Sequence, residues 1–211
     1  MAARHQTGEA SSRLVRNICV YCGSSKGAIP VYARAARQLG EAMAKAGVGL
    51  VFGGGGVGLM EAIASSVLAN GGRVTGIIPS FLIGSEGPLP GLTECIAVAN
   101  MHERKRLMFE RADAFVALPG GLGTLDELAE QLSWVQLERH TKPVVIADIA
   151  GFWRPLLDLF AHMRQQQFIR QPFEVRYLVA EKIEDILPMV ETAAAKPGAF
   201  GKTKLSIDTR L

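Results

Sequence analysis

Cysteine is scarce: Cys19, Cys22 and Cys95 are the only three in 211 residues. So small and odd a number excludes a disulfide framework. The one CxxC, "CVYC" at 19–22, falls in a strand pattern, where residues three apart point to opposite faces. A redox CxxC instead opens a helix that stabilises its thiolate. A zinc site would need a second ligand pair, and none follows, so buried strand thiols are expected. The four histidines show no ligand spacing, and neither metal nor cofactor is expected. An excess of one charge is also lacking: 23 Lys and Arg against 20 Asp and Glu leave +3, without a basic stripe or block. That balance argues against nucleic acid or a membrane surface as partner. No segment approaches ~18 uninterrupted apolar residues, and the opening "MAARHQTGEASSRLVRN" has no signal-like apolar run, so a cytoplasmic protein is expected.

What the chain does have is apolar runs of strand length alternating with helical patterns, the mark of a parallel sheet covered on both faces. The runs predict strands at 18–22, 48–52, 74–78, 94–98, 114–118 and 144–147, with a weaker one at 176–179. Helices are predicted near 30–46, 58–69, 102–111, 125–138, 153–167 and 183–192. Pro30 suits a first helical turn and Gly47 a helix end. With 48% hydrophobic residues, one domain over 16–195 can hold a substantial core. The polar, unpatterned stretches 1–15 and 196–211 read as mobile tails. A Gly/Pro loop, "GSEGPLPGL", occupies 84–92.

Three turns of small residues fall at strand carboxyl ends: "CGSS" after the first strand, "GGGGVG" after the second and "PGGLGT" after Leu118. Ligands of doubly wound sheets bind outside those ends, so the three turns are expected to converge on one pocket, with Ser24, Gly54 and Gly55 among its residues. Residues 53–58 match G-x-G-x-x-G, but the next strand ends in Pro79 and Ser80, without the acid that would hold a ribose. Walker A is absent. The loop at 119–124 suits a monophosphate: Gly120, Gly121, Gly123 and Thr124 offer N–H donors and a hydroxyl at a helix N-terminus. It also reads as a tight turn that touches no ligand.

Glu127 carries the same ambiguity, because Thr124-x-x-Glu127 is also a capping box. Upstream, Asn100 and Glu103 form a second capping signature. On the helix that follows, Met101, Arg104, Lys105 and Met108 share one stripe. A solvated face explains "ERKR" poorly when methionines lie along it.

"MHERKRLM" followed by "PGGLGTLDE" resembles the Lonely Guy family of cytokinin-activating phosphoribohydrolases, and the resemblance runs from "VYCGSS" to "ILPMV" near residue 190. It implies a three-layer Rossmann-like α/β fold with a doubly wound, mainly parallel sheet. It further implies hydrolysis of the N-glycosidic bond of an adenosine-type 5′-monophosphate, such as a cytokinin riboside 5′-monophosphate or AMP, to free base and ribose 5-phosphate. Carried over by position, Arg104 and Glu127 would be catalytic. Met101, Arg104, Lys105 and the 120–126 loop, Asp126 included, would bind nucleotide, with Glu86 a further substrate contact. A homodimer with sites near its interface is expected, with Trp134, Val135 and Leu137 as apolar residues beside the site. One departure is Glu61, where many members have glycine; it is expected in a first helical turn, favoured there by the helix dipole. The family's older label, lysine decarboxylase, would require a Schiff-base lysine for which the sequence gives no case. Competing readings are a molybdenum-cofactor carrier without turnover and a nucleosidase acting broadly on nucleotides.

Overall fold

The computed structural model describes residues 14–170 and 174–196, the side chains of Ser85 and Glu86 excepted. The sheet is built from β1 (Asn17–Tyr21), β2 (Gly49–Phe52), β3 (Val74–Pro79), β4 (Glu94–Val98), β5 (Ala114–Ala117), β6 (Val144–Ala147) and β7 (Leu178–Ala180). All pairings are parallel, in the order β4-β3-β2-β1-β5-β6-β7. The order reverses at β1, which lies between β2 and β5, so the switch-point crevice opens above the carboxyl ends of β1 and β5.

The helices are α1 (Pro30–Lys45), α2 (Gly58–Ala69), the single turn α3 (Ile83–Glu86), α4 (Met101–Arg111), α5 (Leu122–Gln136), α6 (Arg154–Gln165) and α7 (Ile183–Ala194). Alternation along β1 shows how they are layered. Ile18, Val20 and Cys22 join the core under α1, α2 and α7, while Cys19 and Tyr21 join the other core with Met108 of α4 and Leu128 and Leu132 of α5. A strand buried on both faces must be apolar, and β2, β5 and β6 are so throughout, as is β1 from Ile18 to Tyr21. The expected doubly wound α/β sheet is therefore present, wholly parallel.

Differences from the sequence reading are local. The last strand starts at Leu178 rather than 176, and α3 is a turn of helix inside the Gly/Pro loop. Val15, assigned above to the amino-terminal tail, is buried in the core, and Gly49 donates its N–H to the Arg16 carbonyl, so the chain is anchored earlier than polarity suggested. The remainder of the expected tails, 1–13 and 197–211, lies outside the described residues. Among the described residues no helix is long and apolar enough to cross a membrane.

Cys19 and Cys22 lie on opposite faces of the sheet, both buried and unpaired, whereas Cys95 is exposed. Burial raises both buried thiols well above the ordinary thiol range, Glu127 adding to it. Since the thiolate is the reactive form, a thiol reagent applied to the native protein is expected to titrate one cysteine quickly and the other two only on unfolding. Rapid native labelling of two or three would contradict this placement.

Candidate active site

The site begins with backbone contacts among the three glycine turns. Gly23 donates its N–H to the Pro119 carbonyl (3.1 Å), and its own carbonyl accepts from Leu59 N–H (3.0 Å) at the start of α2. The turns after β1, β2 and β5 therefore meet at the switch point, as expected. The Gly/Pro loop joins them, with Gly56 N–H donating to Gly87 O (2.9 Å) and Leu89 N–H to Gly54 O (3.1 Å). Gly54 and Gly55 are thereby buried beneath it, whereas Ser24 is exposed. Glu86 ends α3 in this loop, and its side chain lies outside the described residues.

The glycines of 119–124 divide by cause. A Cβ on Gly120 would collide with the Thr124 hydroxyl, so packing demands glycine there. At Gly121 and Gly123 a Cβ would meet nothing within 4 Å and φ is not positive, so the turn itself needs neither. Both face solvent. Helix α5 starts just there, with Gly121 as N-cap, no side-chain cap and no acid in the first turn. Among the described residues no side chain caps its first-turn N–H groups, which lie at the positive end of a 15-residue helix.

This start also resolves the ambiguity of Glu127. A capping box needs Thr124 at the N-cap, but Thr124 is the third helical residue and buried, so Glu127 is not a capping glutamate. Its side chain turns inward and is only 8% exposed. No hydrogen bond holds its carboxylate among the described residues. Burial pushes its pKa up to about 7; Arg104 and Lys105 oppose that rise, and Asp126 and Glu130 add to it.

Arg104 comes from α4, whose start is capped as expected. Asn100 Oδ1 accepts from Glu103 N–H (3.0 Å), while Glu103 reaches back one residue further, to Ala99 N–H (2.9 Å). One turn on, Arg104 is 8% exposed and donates from Nη2 to the Gly53 carbonyl (3.2 Å), with Met101 Sδ 3.7 Å from Nη1. A side chain at position 53 would overlap the guanidinium, which gives the second glycine turn a reason of its own. Arg104 Nε is buried without a partner among the described residues, a donor left for something else.

Lys105 is placed differently from its neighbour. Its ammonium lies 2.7 Å from Glu130 Oε2 and 3.1 Å from Asp126 Oδ2. Burial alone would lower its pKa, but the two carboxylates outweigh that and hold it above the ordinary value. Sequence reasoning missed Glu130, although its i,i+4 spacing from Asp126 was a signal. It also missed Gln131, buried on the inward face one turn after Glu127. Glu61 stands in the first turn of α2, 3.7 Å from Lys26. Of the apolar residues expected beside the site, Val135 is buried in the chain's own core and Trp134 packs edge-on against Phe109 (5.1 Å), leaving Leu137 exposed.

The position of Glu127 has a thermodynamic consequence. Its folded pKa, about 7, exceeds the ordinary 4.5, so between those values the folded state binds more protons than the unfolded one. Stability then falls as pH rises through that window and stays reduced above it. Glu127→Gln is expected to be more stable than the native protein at pH 8, by on the order of 2–3 kcal/mol, and no more stable near pH 4. Paired denaturant melts at the two pH values check this, and equal stability at pH 8 would show that Glu127 is not held in so poor a medium for charge.

A family model described as "Possible lysine decarboxylase" matches residues 60–190. The chain is 44% identical over 172 residues to a cytokinin riboside 5′-monophosphate phosphoribohydrolase of Arabidopsis thaliana, covering 82% of this chain and 78% of that protein. It is 39% identical over 178 residues to one of Rhodococcoides fascians, covering 84% and 90%. Among solved structures it is similar to the molybdenum cofactor binding protein of Rippkaea orientalis, with TM-score 0.64 at 25% identity over 83% of this chain and 95% of that one. The molybdenum cofactor carrier protein of Chlamydomonas reinhardtii shares the fold at TM-score 0.66 and 21% identity, over 85% and 98%. Pyridoxal phosphate, which decarboxylase chemistry would bring, does not fit. Lys105, the lysine carried to the site by α4, is a doubly paired ammonium with a raised pKa, the opposite of the neutral amine a Schiff base needs. By sequence the chain belongs to the Lonely Guy family of phosphoribohydrolases.

Proposed function

We propose that this protein hydrolyses the N-glycosidic bond of cytokinin riboside 5′-monophosphates or AMP, releasing free base and ribose 5-phosphate in the cytoplasm. One observation carries the proposal: Glu127 is buried without a hydrogen bond under the influence of Arg104, one turn beyond an uncapped, glycine-lined helix N-terminus. The helix start supplies N–H donors for the 5′-phosphate, and Gly121 and Gly123 leave room for it. Anchored there, the nucleotide extends its ribose toward Glu127. As the bond between C1′ and the base nitrogen stretches, positive charge grows on the ribose ring, as in glycoside hydrolysis. An ionised Glu127 in a poorly solvated position stabilises that charge and orients the water that attacks C1′. Arg104 favours the ionised form of Glu127 and fixes its surroundings; its unpaired Nε is a donor for ribose or phosphate.

Similarity to cofactor-binding proteins raises a second reading, a carrier without turnover. A carrier has no use for a carboxylate whose burial costs stability, and this weighs against it. Incubation with AMP, an N6-prenylated AMP, CMP and adenosine, with assay of free base and ribose 5-phosphate, tests both. Release is expected from monophosphates and not from adenosine. Release from none supports the carrier, release from CMP as well as AMP indicates a broad nucleosidase, and equal rates on AMP and adenosine refute the phosphate anchor. Because Glu127 must be ionised, kcat/KM is expected to rise with pH through a midpoint near 7. Glu127→Gln should lower turnover by a factor on the order of a hundred or more while nucleotide still binds.

The active form is proposed to be a homodimer, supported by the resemblance and by the exposed Leu137 at the end of α5. Light scattering is expected to give twice the chain mass of 22.6 kDa; a fully active monomer would refute it.

A further inference from the structure

Helix α4 carries Arg104, yet little apolar surface fastens it: of its 11 residues only Arg104 and Met108 are buried. Its carboxyl end is also poorly closed by its own backbone. The Phe109 carbonyl would ordinarily accept from the N–H four residues on, but Asp113 N–H is taken into the sheet by Asn17 O (2.9 Å), leaving a long contact from Ala112 N–H (3.4 Å). Lys142, in the loop before β6, fills that place. Its ammonium donates to Phe109 O (2.6 Å) and lies 3.9 Å from the centroid of the Phe109 ring and 6.0 Å from that of Phe115. The loop is itself held, since Lys142 N–H donates to His140 Nδ1 (3.2 Å) and the Pro143 carbonyl accepts from Phe115 N–H (2.8 Å). Burial, with Lys142 adding to it, pushes the His140 pKa down to about 4, so a neutral ring accepts that bond. Phe109 is further enclosed by Phe115 of β5 (6.0 Å, stacked), Trp134 of α5 (5.1 Å, edge-on) and His140 (5.2 Å).

Resting on the hydrolase reading, we infer that Lys142 is a positioning residue for the reaction: by closing the carboxyl end of α4 onto the sheet, it sets where Arg104 stands relative to Glu127. The two ends of α4 are tied differently. At its start, Asn100 caps the first turn and Arg104 reaches the Gly53 carbonyl, so both ties act within about one turn of each other. Lys142 supplies the far tie, at a residue five positions beyond Arg104 and about 7.5 Å along the helix axis. A cation at a helix carboxyl end is favoured by the dipole, most where water is partly excluded, and Lys142 is half-buried. The rings beneath its ammonium add a second attraction of the same sign. A helix carries a displacement at one end to the other, and a misplacement of about 1 Å at a catalytic group can cost on the order of a hundredfold in rate.

The test is a double-mutant cycle of Lys142→Met with Arg104→Gln, together with Lys142→Arg. Two measurements are made: AMP hydrolysis, and NMR titration of the Glu127 carboxyl, which needs no turnover. Lys142→Met keeps an apolar stem over the rings but loses the donor and the charge. It is expected to lower kcat roughly tenfold, with KM for AMP changed by no more than about threefold. It should also move the Glu127 midpoint upward, because Arg104 is the foremost charge opposing burial there. Lys142→Arg can still donate to the carbonyl and lie over the rings, and should restore both readings. In the Arg104→Gln background, Lys142→Met should leave the midpoint where Arg104→Gln alone puts it, because the effect passes through Arg104. A midpoint moved equally in both backgrounds would mean that the Lys142 charge acts on Glu127 directly, and would overturn the inference. Lost stability with kcat and midpoint unchanged would overturn it too, since that is what a purely structural residue gives. Should Lys142→Met not fold, Lys142→Gln takes its place in the same cycle, with the same outcomes deciding. If the native protein releases no base from any nucleotide, the hydrolase reading fails by itself, and the titration still decides whether Lys142 governs Arg104 and Glu127.

Discussion

A carboxyl group taken out of water, with no hydrogen bond among the described residues, is the constraint on which the site is organised. Burial by itself pushes the Glu127 carboxyl toward its protonated form. What keeps its pKa near 7 is the positive charge of Arg104 and Lys105, working against burial and two neighbouring acids. Those cations come from α4 and the acids from α5, so ionisation of one side chain depends on how two helices lie against each other. The capped start of α4, the Gly53 carbonyl under Arg104 and the Phe109–Trp134 contact all serve that alignment.

The sheet supplies the place. In the order β4-β3-β2-β1-β5-β6-β7, the chain leaves β1 for one face and β5 for the other, so the helices after them diverge and a crevice opens between. Three glycine turns border it, but glycine is needed there for two unlike reasons. Gly53 and Gly120 let the protein pack upon itself, against Arg104 and Thr124, whereas Gly121 and Gly123 have empty space where a side chain would be. The first pair belongs to the fold and the second to whatever enters from solvent, a division that motif matching alone does not make.

Much of the architecture was legible because buried parallel strands announce themselves as short apolar runs, and all seven were placed to within two or three residues. The convergence of the turns was legible because strand ends and glycines coincide. Less legible was anything decided by where a helix starts. Thr124 and Glu127 have capping-box spacing, and only the helix beginning at Leu122 shows that Thr124 lies inside it. Val15 is polar-flanked in sequence yet buried, because β1 is central and its approach is covered. Lys105 reads as a second basic residue beside Arg104, but a shift of one position on a helix rotates a side chain by about 100°, and its ammonium lies against Asp126 and Glu130 of α5.

Fold similarity to cofactor carriers and sequence similarity to hydrolases can be reconciled through the same geometry. An uncapped helix start at a switch point can hold a phosphate whatever the rest of the ligand is, and that capacity belongs to the architecture. Turnover requires something more: a group that is costly in the resting protein and useful only when charge appears on the substrate. Glu127 meets the first part of that description, since its ionised form is disfavoured by its surroundings. On the proposed reading, a cation developing on a ribose ring beside it would relieve that disfavour, and the carboxylate would interact more strongly with the transition state than with the bound nucleotide. That difference, rather than affinity for phosphate, separates a catalyst from a carrier on this fold.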